Sequence, residues 1–157
     1  MKKKLYTILA AITLILTGCQ TSTSSYASYE TECIGIELDG SQKLRAWGQG
    51  RHRQQAMQQA AKNAISDVIF KGIRGGNGGC NVKPLVYEAN AREKYEEYFN
   101  EFFSDNGAYY RNYISIKDAP LRSRVKDFNN NGRRFGVVVT VQRTALQQHL
   151  KKDGIIK

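Results

Sequence analysis

RHRQQAMQQAAKNAISDVIFKG, residues 51–72, sets the architecture of this chain. Ala56, Met57, Ala60, Ala61, Ala64, Ile65, Val68 and Ile69 recur at i, i+1, i+4, i+5 and onward, one continuous apolar stripe at helical spacing. The pattern predicts a helix over Arg51–Lys71, with Gly72 as its stop. Small alanines in the stripe let such a helix lie close against a sheet. The flanking chain has to supply that sheet.

Upstream, Cys33–Leu38 alternates apolar residues at Ile34, Ile36 and Leu38, the period of a half-buried strand. Asp39-Gly40 turns the chain, and Gln42–Gly48 returns with Leu44 and Ala46. Placing Ile36 and Leu44 on one face requires an odd-numbered loop. A two-residue Asp-Gly loop would bring Lys43 and Arg45 beside the isoleucines instead. Trp47 falls on the outer face with Lys43 and Arg45, or under a neighbouring element.

Downstream, residues 72–81 (GIRGGNGGCN) read as a flexible glycine-rich connector. A second amphipathic helix runs from about Pro84 to Phe103, with Tyr95, Tyr98, Phe99, Phe102 and Phe103 as its heavy face, and Asp105-Asn106-Gly107 breaks it. Tyr109–Ile116 is a third strand. Leu121–Phe128 and Arg133–Arg143 flank a turn at Asn129–Gly132. Pairing Val125 with Val137, on the face of Val139 and Val141, calls for a three-residue loop, Asn130-Asn131-Gly132. Thr144–Lys152 is a closing helix with Leu146 and Leu150 inward and Gly154 as its stop. The order β-β-α-α-β-β-β-α predicts an α+β two-layer sandwich, a mainly antiparallel sheet packed against helices.

Ahead of this domain stand Lys2, Lys3 and Lys4, then an uncharged run, Leu5–Thr17. The run is too short for a membrane-spanning helix, which needs about 20 residues, but it suits a secretory signal. It closes in Leu16-Thr17-Gly18-Cys19, which resembles the lipobox of bacterial lipoproteins at all four positions. The resemblance implies diacylglycerol on the Cys19 thiol, cleavage before it and N-acylation of the new terminus. Residues 1–18 are then a lipoprotein signal peptide, 19–30 a lipidated tether, and 31–157 a single domain. Gln20, where the family's inner-membrane proteins carry Asp, implies delivery to the outer membrane. The uncharged stretch Gln20–Ser28 favours a periplasm-facing domain on a flexible Ser/Thr-rich tether, with a spacing of about 15–20 Å.

Three lysines leave with the signal, so the mature chain carries 21 basic and 14 acidic residues. A surplus of this sign suits anionic partners such as lipopolysaccharide phosphates, lipid heads or acidic glycan, or is simply a soluble surface rich in Lys and Arg. The envelope location argues against nucleic acid. Cys33 and Cys80 remain after Cys19 is lipidated. In an oxidising compartment they either pair, closing a loop of roughly 48 residues, or stay as partly buried thiols. Arg122, Arg124 and Lys126 alternate on the predicted outer face and Arg134 joins them across the hairpin. This is a candidate anion-binding row, or a charged edge strand that resists aggregation.

Signals for chemistry are sparse. His52 and His149 lie far apart in sequence and outside any zinc-ligand spacing, so no metal is implied. The glycine loop follows a helix and lacks the Gly-Lys-Ser/Thr of a phosphate-binding loop. Glu93, Glu96, Glu97 and Glu101 read as a solvated helix side. No cofactor is implied, and the expectation is a non-enzymatic protein.

Arg45-Ala46-Trp47-Gly48-Gln49-Gly50, followed by Ala56, Ala60 and Ala64, resembles a segment of LPP-twenty-type small lipoproteins and of the N-terminal domain of the flagellar assembly protein FlgT. The ending Val137–Val141 into Leu146, Leu150 and Gly154 is similar to their terminal strand and helix. The resemblance implies a small α+β envelope module for assembly or binding, whose partner would be another envelope protein, and it brings no catalytic residues.

Overall fold

The computed structural model describes residues 30–105, 109–116, 126–129 and 132–157, with the backbone alone at 126–129, 132 and 133. Strands β1 (Glu32–Ile36) and β2 (Gln42–Gly50) precede the long helix α1 (Arg53–Phe70). A two-residue strand β3 (Gly75–Gly76) and two short helices, α2 (Ala91–Lys94) and α3 (Glu96–Phe102), come next. A 3₁₀ turn at Tyr109–Tyr113 leads into β4 (Ile114–Ile116), followed by β5 (Lys126–Asn129), β6 (Gly132–Val141) and helix α4 (Arg143–Lys152). The sheet runs β3-β1-β2-β6-β4, with β5 also on β6, and only the β1–β3 pair is parallel. This is an α+β fold with its sheet packed against helices, antiparallel apart from that edge pair.

The strand-to-helix junction explains the pattern of residues 45–64. Gly48 and Gly50 close β2 where α1 folds back across it. A Cβ on Gly48 would strike the backbone of Ala56 and Ala60, and one on Gly50 would strike the Ala56 nitrogen. Small residues on both elements permit this approach. Leu44, opposite Val139, and Ala46, opposite Val137, lie beneath the stripe Ala56, Ala60, Ala64, Ile65, Val68 and Ile69, all buried. Each fully buried aliphatic side chain of this core contributes about 1.5–3 kcal/mol. On the other face Trp47 stands opposite Gly136, and its ring lies over that glycine.

Both long-helix ends are satisfied locally. At the start of α1 the Gln55 side chain accepts the Arg51 N–H (3.0 Å). At its end Gly72 takes φ +73° and donates to Asp67 C=O (2.7 Å), while the N–H groups of Leu85 and Val86 reach the Val68 and Ile69 carbonyls (3.1 and 2.9 Å). These carbonyls have no partner within the helix, so residues 85–86 cap it. Helix α4 ends in a Schellman turn: Ile155 N–H donates to Leu150 C=O, Gly154 N–H to Lys151 C=O, and Ile155 is buried against the core.

Several expectations need correction. The alternation in β1 selects the wrong buried residue. Cys33 opposite Leu44 is buried, a bulge at Ile34 shifts the register, and Ile34, Ile36 and Leu38 are exposed at 40%, 53% and fully. Ile36 does stand opposite Gln42 across an odd-numbered loop, but α1 covers β2 and β6 and leaves β1 bare. The second helix begins at Ala91 and breaks at Tyr95, because residues 84–86 run alongside the end of α1 to cap it. Most of the expected third strand is the 3₁₀ turn. In the last hairpin Asn129 stands opposite Gly132 and Lys126 opposite Phe135, so two residues lie between the paired positions, not three. The buried Phe135 joins the inward set Val137, Val139 and Val141, and the partner opposite it is Lys126; Val125 lies outside the described residues.

Candidate functional site

The glycine loop is fixed rather than flexible. Cys33 and Cys80 are joined by a disulfide with their Cα atoms 5.7 Å apart, and Cys80 N–H donates to the Cys33 sulfur (3.0 Å). Between Gly72 and Cys80 the loop lies along β1 at contact distance. A Cβ on Gly76 (φ +85°) would overlap the Cys33 backbone, and one on Gly78 would overlap Gly35 and Ile34. Gly76 and Gly78 thus serve backbone-to-backbone packing against β1.

Of the basic row nominated from sequence, only Lys126 and Arg134 fall among the described residues. Cys19, Arg122 and Arg124 lie outside the described residues. Lys126 stands opposite Phe135, whereas Arg134, one position earlier on β6, stands between Asp127 and Gln49. Lys126 and Arg134 therefore occupy pairs of opposite parity. His52 is exposed at the start of α1, and Glu93, Glu96, Glu97 and Glu101 are all exposed.

Two other places gather functional groups. The first is a cluster around Asp153. Its Oδ2 accepts the Tyr98 hydroxyl (2.8 Å) and lies 3.3 Å from His149 Nε2. The His149 ring stacks on Tyr113, with centroids 5.1 Å apart. Burial first, and the bond to Asp153 second, push the Tyr98 hydroxyl well above the ordinary phenol value. Tyr113 moves the same way, through burial and the Asp153 charge. Tyr98 is thus held as a protonated donor. It cannot act as a base or as a phenolate nucleophile at neutral pH.

The second is a polar groove along the solvent-facing flank of α1. Two adjoining clefts of about 480 and 400 Å³ share Thr31, Asp67 and Lys71. Helical spacing places Gln59, Lys62, Asn63, Ser66, Asp67 and Lys71 on this flank. Arg74 from the glycine loop and Arg92 from α2 close the two ends. Asp67 accepts the Thr31 hydroxyl (2.5 Å) and pairs with Lys71 Nζ (3.0 Å). Lys62 Nζ lies 2.7 Å from Asp105, and that bond holds the Asp105 carboxyl below the usual range. Arg74 and Arg92 are exposed and make no ion pair among the described residues. No short sequence motif announces this groove, because its cations come from three separate elements.

No protein-family model, curated protein or solved structure matches the chain.

Proposed function

We propose that this chain is a lipid-anchored envelope protein, held at the outer membrane through Cys19 and facing the periplasm, whose domain is a non-enzymatic binding or assembly module. The signal-like run ending in Leu16-Thr17-Gly18-Cys19 supports the anchor. The observation that carries the binding role is the bare end of the first hairpin. Ile34, Ile36 and Leu38 are each exposed, although their alternation is that of buried residues. Large aliphatic side chains left in solvent along one hairpin suit an interaction surface. The resemblance of residues 45–64 to small envelope lipoproteins points the same way.

The anchor is tested by Cys19→Ala. Growth with a radiolabelled fatty acid should label the wild-type protein and leave the variant unlabelled, with its signal uncleaved. A variant that matures to the same N-terminus and fractionates with the outer membrane refutes the reading.

A further inference from the structure

We propose that the groove on the flank of α1 docks the phosphates of anionic lipid headgroups in the membrane to which the chain is tethered. The proposal rests on the anchor reading above and goes beyond it by naming a surface and a ligand.

Charge is the first argument. Lys62, Lys71, Arg74 and Arg92 line the groove against Glu30 and Asp67, with Lys62 paired to Asp105. Asp67 is already engaged by Lys71 and Thr31. Arg74 and Arg92, at the two ends, make no ion pair among the described residues, and their planar donor forks match phosphate oxygens in pairs. Both are exposed, so a phosphate reaches them without a buried charge being uncovered.

Position is the second argument, and it is independent of charge. Glu30 and Thr31 themselves line the cleft, so the chain enters the described domain at its rim. Ten residues separate Glu30 from Cys19 in the sequence. Fully extended they reach at most about 40 Å, roughly the diameter of a domain with a radius of gyration near 14 Å. A lipid on Cys19 therefore keeps the rim of the groove close to the headgroups. At that spacing headgroups stand at a high effective concentration, and a shallow site with weak intrinsic affinity is occupied. Free phosphate has no such advantage.

The mature lipidated protein is reconstituted into neutral phosphatidylcholine vesicles and into vesicles that also contain phosphatidylglycerol. Amide exchange over residues 71–75 and 91–94 is then followed. Phosphatidylglycerol should slow exchange at both segments, and high salt should reverse the effect. Arg74→Gln with Arg92→Gln should lower the ratio of docked to undocked protein by about 25-fold, about fivefold per charge, while Arg74→Lys with Arg92→Lys should retain most of it. Protein that floats with both vesicles but exchanges identically in them overturns the proposal alone. So does inorganic phosphate if it gives the same protection on neutral vesicles, because the site then takes a free anion. Protein that floats with neither overturns the anchor reading and the proposal with it.

Discussion

Tyr98 is the residue whose proton the fold controls most firmly. Its hydroxyl is half-buried and donates to Asp153, and both effects favour the neutral phenol. The folded-state value therefore lies above that of an unfolded tyrosine, about 10. The resulting stabilisation is complete below about pH 10 and is lost as pH climbs through the folded value. Denaturant melts of wild type and Tyr98→Phe should be compared at neutral pH and above about pH 10. At neutral pH the variant should be less stable by about 1 kcal/mol, one hydrogen bond, and the gap should narrow in alkali. A constant gap would show that the hydroxyl does not titrate differently in the folded state. Tyr113 shifts in the same direction and stays in both proteins, so the comparison isolates Tyr98.

Among the elements, β1 depends most on something other than the main core. It has β2 on one side and the glycine loop on the other, and the Cys33–Cys80 bond ties β1 to that loop. Replacing both cysteines with serine should cost up to about 4 kcal/mol by the chain-entropy estimate for a loop of this length. Exchange should rise first in residues 32–36 and 74–80, while α1 stays protected. Uniform loss across the sheet would mean that β1 is not a separate cooperative unit. The same element shows where sequence reading stops. The α1 stripe and the valines of β6 were legible because each repeats over several turns or pairs of residues, and all of these residues are buried except Met57, which is partly so. In β1 the alternation covers three residues, and one bulge at Ile34 undoes it. The last hairpin slips by one residue for a similar reason: few apolar residues fix its register, and the turn admits two loop lengths. The groove was illegible because Lys62, Arg74 and Arg92 are unrelated by any period. Only the return of residues 84–92 across the end of α1 brings Arg92 to the groove.

At the scale of the whole molecule the exposed hairpin end and the groove offer two chemistries, one aliphatic and one cationic. If the groove lies against the bilayer, the aliphatic end remains available to a protein partner. Its exposed residues should then be separable from folding. Ile36→Ser with Leu38→Ser should leave the unfolding free energy within about 0.5 kcal/mol of wild type, the usual range for surface substitutions. Leu44→Ala, which empties a fully buried site, should cost about 2–5 kcal/mol. A photo-reactive residue at Leu38 in intact cells should give discrete cross-linked species, and one at the exposed Glu93 should not. The serine pair should abolish cross-linking from a probe at the neighbouring Asp39 without altering lipid labelling at Cys19. If the serine pair unfolds the domain, the aliphatics are structural. If cross-linking from Asp39 persists at wild-type yield, they contribute nothing to the contact and the assembly role has to sit elsewhere on the surface.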